Sequence, residues 1–269
     1  MTDTAAVLDA LENFYDGVPR TAADPHDLGP LTLFVARQGW PYYARPRLGG
    51  RDPISADDVA AVRARQRELK VPEAFEWVHE VTPSLAGAAR ATGLHVHEHP
   101  LMVLDAFRPV APPDGVAVRV LDADSPDLVA ARAVADVGFS APGTAAGEPG
   151  TVERDRAAAA IPPAQVEHVR DRIRRGLLVS AVAGRDGTGP LCVGSYQAVD
   201  LVAEIVGVAT LPAARRGGLA AAVTSAVVGD AFGRGVQTVF LSAGDEDVAR
   251  MYRRLGFVRV GTACIAEPL

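Results

Sequence analysis

Glu204-Ile205-Val206-Gly207-Val208-Ala209-Thr210-Leu211-Pro212-Ala213-Ala214-Arg215-Arg216-Gly217-Gly218-Leu219-Ala220 is the stretch that decides the reading of this chain. Residues 205–210 are apolar and β-branched enough for a buried strand, and Pro212 ends strand pairing because it has no N–H to donate. Residues 215–220 then open a long helix rich in alanine and valine. A strand feeding a small-residue turn into a helix N-terminus gathers several unpaired N–H groups at one spot, where the helix dipole adds about half a positive charge. Glycines let an anion approach the backbone closely, and flanking arginines supply diffuse charge. The stretch reads as a cradle for a phosphate-bearing ligand.

The rest of the composition frames that reading. With 269 residues, 48% of them hydrophobic, the chain can bury a sizeable core, and its length slightly favours two domains over one. The net charge of -6 argues against a nucleic-acid surface. No apolar run reaches membrane-spanning length, and Met1-Thr2-Asp3-Thr4 lacks the basic start of a signal peptide. Cys192 and Cys264 lie in apolar strand-like runs and read as buried structural thiols. The expectation is a soluble cytoplasmic protein, monomeric or homodimeric, with neither membrane nor nucleic acid as partner. Lys70 is the only lysine, which fits the coding bias of a GC-rich genome better than any function.

Two halves are expected, residues 1–110 and 115–269, joined by the linker Ala111-Pro112-Pro113-Asp114-Gly115. In the second half, residues 116–121 alternate as a strand, 127–137 carry helical spacing, and 165–176 form an arginine-rich amphipathic helix. Strands follow near 178–183, 191–199 and 204–210. The helix from Gly218 puts Leu219, Val223, Ala226 and Val227 on one face. Residues 236–242 are a strand, and a shorter helix starts at Asp245-Glu246-Asp247 and stops at Gly256. Residues 257–266 are expected to close the sheet. The fold class is α/β, a mixed central sheet flanked by helices. The first half echoes the second: a strand over 76–82, a helix over 84–91 and a strand from Gly93 repeat the order found over 238–258, without an Arg/Gly turn.

The segment from Thr210 to Ala220 resembles the acetyl-CoA signature of the GNAT (Gcn5-related N-acetyltransferase) superfamily, V-x-P-x-x-Q/R-x-x-G-x-G/A. Arg215, Gly218 and Ala220 fall on its fixed positions and Pro212 on its proline, while Thr210 replaces the usual valine. A second signature, N-x-x-A-x-x-L-Y-x-x-x-G-F, is met by Met251, Tyr252, Gly256 and Phe257. Asp245 stands at its Asn position and Val248 at its Ala position. The resemblance covers 115–269 and makes the first half a degenerate GNAT-like copy or support. It implies acetyl-CoA as co-substrate, an amine acceptor and no metal.

The resemblance assigns roles residue by residue. The N–H groups of Arg216, Gly217, Gly218, Leu219 and Ala220 suit the pyrophosphate, and the peptide-like pantetheine arm pairs as a pseudo-strand along Val208, Ala209 and Thr210. The Val208 N–H would stabilise charge developing on the thioester oxygen. Tyr252 occupies the place of the acid that serves the departing thiolate, against an ordinary buried aromatic as the plainer reading. Glu204, a lone acid at the head of an apolar strand, is the candidate base, against a water-facing strand end or a water relay. Neither cysteine is expected near the motifs, so direct attack in a ternary complex is favoured over an acyl-enzyme. A catalytically silent acyl-CoA sensor or regulatory protein is the alternative.

Other features carry less. His95, His97 and His99 share a strand face without a carboxylate or cysteine pattern to complete a metal site. Trp40-Pro41-Tyr42-Tyr43 suits packing better than ligand stacking. Arg170, Arg172, Arg174 and Arg175 read as a solvated helix face that could offer one contact to the adenosine 3′-phosphate. Residues 141–161, rich in Gly, Ala and Pro, read as a mobile loop beside the acceptor. The superfamily acetylates amino acids, polyamines, aminoglycosides, peptide N-termini and protein lysines through loop changes, and the acidic balance favours a cationic acceptor.

Overall fold

The computed structural model describes residues 4–37, 41–141 and 143–269. They divide into two units: residues up to Met102 with Ser242–Asp245 and Arg259–Leu269, and Val103–Leu241 with Glu246–Val258. Each contributes its own strands and helices.

The first unit begins with helix α1 (Thr4–Arg20) and strands β1 (Ala23–Leu28), β2 (Leu31–Ala36) and β3 (Ala44–Pro46). Helix α2 (Ala56–Leu69), strand β4 (Phe75–Val78), helix α3 (Ser84–Ala91) and strand β5 (His95–Leu104) follow. Helix α2 starts on a capping box in which the Ser55 hydroxyl accepts from the Asp58 N–H while Asp58 accepts from the Ser55 N–H at 2.9 Å. Alternate residues Phe75 and Trp77 of β4 face the core that α2 and α3 cover with Val59, Val62, Leu85 and Ala89.

Residues 257–266 do not close the C-terminal sheet as expected. The final strand, β11 (Phe257–Glu267), sends Ala263–Ala266 antiparallel against β4, with Cys264 opposite Trp77. Its alternation explains the choice: Cys264 and Ala266 are buried in the first unit's core. Strand order in this unit is β1-β2-β3-β4-β11-β5. Trp40 lies outside the described residues. Tyr42 and Tyr43 meet edge to face at 6.2 Å, and the Tyr43 hydroxyl donates to the Tyr15 carbonyl at 3.4 Å, a packing role.

The second unit contains β6 (Val116–Leu121), α4 (Leu128–Ser140), α5 (Thr151–Ala160), α6 (Pro163–Arg174), β7 (Val179–Arg185) and β8 (Gly189–Val199). Then come β9 (Val202–Thr210), α7 (Leu219–Gly233), β10 (Thr238–Ser242) and α8 (Glu246–Leu255). Strand order is β10-β9-β8-β7-β6, antiparallel except for β9–β10. Helix α7 is apolar on nearly every side, with Val223, Val227 and Val228 fully buried.

The stretch 141–161 is a second departure from expectation. Its latter half is helix α5, held by Arg154, which is only 7% exposed. The Arg154 guanidinium donates to the Thr188 and Pro190 carbonyls at 2.6 and 2.7 Å, tying α5 to the β7–β8 hairpin. A buried cation that satisfies two carbonyls acts as a clamp. No helix among the described residues is long and apolar enough to cross a membrane.

Candidate active site

Strand β9 has different neighbours along its two edges. Against β10 it pairs only from Val202 to Glu204, the last step being Phe240 opposite Glu204. Against β8 it continues to Thr210 opposite Cys192. The β8–β9 register shifts between Val193 and Ser195, so Gly207 and Val208 together oppose Gly194. This is a two-against-one bulge, with Gly207 at φ +63°. A Cβ on Gly207 would meet nothing within 4 Å, whereas one on Gly194 would lie 2.7 Å from Val223 Cγ1. The bulge is thus open at Gly207 and closed behind Gly194. From Ile205 onward, the β10-facing edge of β9 has no strand partner among the described residues.

The turn after β9 holds a short 3-10 segment, Pro212–Ala214, and then Arg216 at φ +64° and Gly218 at φ +76°. Left-handed residues at these positions curve successive N–H groups toward one concavity. Among the described residues, the N–H groups of Gly217 to Ala221 meet no backbone carbonyl. The arginine side chains point to other work. Arg215 donates to the carbonyls of Gly138 and Ala141, both at 2.8 Å, and of Ala145 at 3.1 Å. Arg216 donates to the Thr144 carbonyl at 3.2 Å. Backbone bonds from Gly147 to the Pro212 carbonyl and from Ala213 to the Pro149 carbonyl complete the attachment. Ala141 and residues 143–150 are therefore a strap laid along the turn. A cleft of about 690 Å³ opens there, lined by Ala213, Ala214, Gly217 and Leu219, by Glu148 and Val152, and by Arg185 at the end of β7.

Tyr252 lies buried on α8, edge-on to Phe257 at 5.7 Å. Burial, reinforced by the nearby Cys192 thiol, pushes its phenol above the usual range. Cys192 accepts a hydrogen bond from the Thr210 hydroxyl at 3.2 Å. It thus stands beside the first motif, contrary to the expectation that neither cysteine would. Burial pushes its thiol up to about 12, so it stays protonated and is a poor nucleophile. Gly256 follows α8 at φ +100°, and a Cβ there would sit 1.7 Å from the Ala106 carbonyl oxygen. That oxygen explains why the second motif needs glycine before its phenylalanine.

Glu204 is half-buried at the point where β9 leaves β10. Gln197, directly opposite on β8, donates its amide N–H to Glu204 Oε2 at 3.3 Å. Arg172 of α6 in turn donates to Gln197 Oε1 at 3.1 Å. One member of the arginine-rich helix is therefore turned to the sheet, while Arg174 pairs with Glu167 and Asp124 and Arg175 with Asp171. Asp245 is exposed and belongs to the residues grouped with the first unit. The three histidines lie along β5 with ring centroids 4.4 and 6.3 Å apart; His99 bonds the Gly244 carbonyl and His97 lies 3.5 Å from Glu267. Among the described residues no group of three His, Cys, Asp or Glu side chains is placed to hold a metal ion.

Arg154, Arg185, Cys192 and Gln197 are site-shaping residues that the motifs do not mark. Only Gln197 had a readable signal. The two-residue turn Asp200-Leu201 between apolar runs sets 197 opposite 204.

Residues 154–257 match the acetyltransferase (GNAT) family. A GCN5-related N-acetyltransferase from Kribbella flavida is similar in fold, with a TM-score of 0.73 at 22% identity, covering 98% of this chain and 96% of that one. A tandem GNAT protein from the clavulanic acid biosynthesis pathway gives 0.56 at 16% identity over 96% and 86%. A GCN5-related N-acetyltransferase from Sphaerobacter thermophilus gives 0.52 at 19% over 90% and 81%. A search of curated proteins found no match. Residues 154–257 belong to the GNAT family, the fold is that of GNAT acyltransferases, and the two-unit structure is consistent with a tandem form.

Proposed function

We propose that this chain, with its GNAT domain in the second unit, is an acetyl-CoA-dependent N-acetyltransferase acting on a primary amine by direct attack. The observation that carries the reading is the β9 edge that loses β10 after Glu204 and runs past a bulge into the curved turn. A peptide-like pantetheine arm finds the β10-side edge of 205–210 open, and its pyrophosphate meets the N–H groups of Gly217 to Ala220 and the α7 dipole. Because Arg215 and Arg216 are bonded to the strap, charge at the turn comes mainly from the backbone. Arg185, on the rim of the cleft, is the side-chain cation best placed for an outlying phosphate.

Acetyl-CoA supplies the activated acyl group; the chain's residues take one proton and stabilise two developing charges. Glu204 accepts one from the ammonium, which frees the nitrogen lone pair for attack on the carbonyl carbon. The Val208 N–H stabilises the negative charge that develops on the carbonyl oxygen. As the carbon–sulfur bond breaks, the Tyr252 hydroxyl tightens a hydrogen bond to the departing sulfur. A phenol whose pKa is raised by burial is a weaker acid than the thiol, so it stabilises the developing thiolate without giving up its proton, and the thiolate is protonated from solvent as it leaves. The first unit, as a degenerate half, supports this domain rather than repeating its chemistry.

Thiol release from acetyl-CoA against a panel of amino acids, polyamines, aminoglycosides and peptides tests the proposal. Amine-dependent release with intersecting initial-rate lines is expected. Binding of acetyl-CoA with no release for any amine would instead favour a silent sensor.

A further inference from the structure

We infer that Gln197 is a positioning residue for Glu204 and that Arg172 sets the direction in which Gln197 acts. The inference rests on the reading of Glu204 as the base. A guanidinium has donors only, so the atom that Arg172 meets at 3.1 Å must be the amide oxygen of Gln197. The orientation of that amide, ambiguous from shape alone, is thereby fixed by chemistry. Its NH2 group is turned to Glu204 Oε2 at 3.3 Å.

The backbone supports the same arrangement. Gln197 and Glu204 are cross-strand partners, two ladder steps beyond the Val199–Val202 pair that closes the hairpin. On its other side Glu204 is opposite Phe240, the last β10 residue to pair with β9. The carboxylate is carried by the final doubly paired residue of β9, beside the bulge. Gln197 brings it a hydrogen bond from β8 and is itself met by Arg172 of α6, and Phe240 is its neighbour across β10. An N–H donated to the ionised form favours that form and restricts the side chain to one orientation. A base must begin ionised and aimed, and the Gln197 hydrogen bond contributes to both conditions.

The test requires no acceptor. Glutamate 13Cδ NMR, with the Glu204 signal assigned by its loss in Glu204→Gln, gives the pH at which this carboxylate titrates. Gln197→Leu is expected to raise that pH by about one unit, the equivalent of one hydrogen bond of about 1.4 kcal/mol. Gln197→Glu, which faces one carboxylate with another, is expected to raise it further. Arg172→Met should give a smaller rise that Arg172→Lys reverses, since lysine still donates to the amide oxygen. An unchanged Glu204 titration in both Gln197 variants overturns the inference, and the Arg172 pair decides the matter if either Gln197 variant fails to fold. Failure of the base reading shows elsewhere, as undiminished amine-dependent turnover in Glu204→Gln.

Discussion

Arg215 donates to the Gly138 carbonyl oxygen at 2.8 Å, so the arginine of the phosphate-turn motif fastens the turn to the end of helix α4. Its further bonds to Ala141 and Ala145 span the beginning of the strap. The side chain builds the cradle rather than lining it. Arg215→Lys keeps the charge but loses the fork that reaches several carbonyls. We expect a loss of about 2 kcal/mol in urea unfolding and faster proteolysis within 143–150. Unchanged stability with weakened acetyl-CoA binding would place the guanidinium on the ligand instead.

Gly256 leaves no room for a side chain. Its φ of +100° and the Ala106 carbonyl at 1.7 Å from a virtual Cβ act together. Gly256→Ala must move the backbone, and the expected cost is about 3 kcal/mol or more in denaturant titration. A change below about 1 kcal/mol would show that the segment around Ala106 yields freely.

Tyr252→Phe removes one oxygen and keeps the ring that packs on Phe257. For a hydroxyl that stabilises the developing thiolate, kcat should fall by about 100-fold while the KM for acetyl-CoA changes less than threefold. Turnover within twofold of wild type would return Tyr252 to the core as an ordinary aromatic.

Cys192 gives an alkaline signature. Burial pushes its folded thiol up to about 12 from an ordinary value of 9. The raised value favours the folded state fully below pH 9, and that advantage is lost as pH rises toward 12, because only the unfolded thiol ionises in between. Stability should fall by up to about 1.4 kcal/mol per pH unit across that window, and Cys192→Ala should flatten the slope. Equal slopes in both proteins would contradict the burial. At pH 8, native Cys192 should also resist alkylation.

Much of the second unit was legible because its signals are local. Beta-branched runs marked β7, β8 and β9, and glycines marked both ends of α7. Helix α3, predicted over 84–91, appears with those bounds. The missed features depend on long-range pairing. The alternation in β11 shows a strand with a buried face, but nothing local says that its partner is β4. The alanine run 157–160 carries no apolar stripe, so α5 depends on the distant carbonyls that Arg154 reaches. In α2 the Ser55–Asp58 capping box is a start signal legible in the sequence. For the site, spacing marked Gly218, Ala220 and Tyr252. The inward or strapward aim of Arg172 and Arg215 is a tertiary property of their surroundings.

Calorimetric titration of acetyl-CoA into the wild-type protein and into Gly218→Asp tests the central claim most directly, with circular dichroism to verify that the variant is folded. Gly218 adopts φ +76° at the N-terminus of α7, and an aspartate there would add a side chain and a negative charge where phosphate is expected. The account predicts saturable binding to wild type and a loss of about 100-fold or more in the folded variant. Undiminished affinity in folded Gly218→Asp would contradict it.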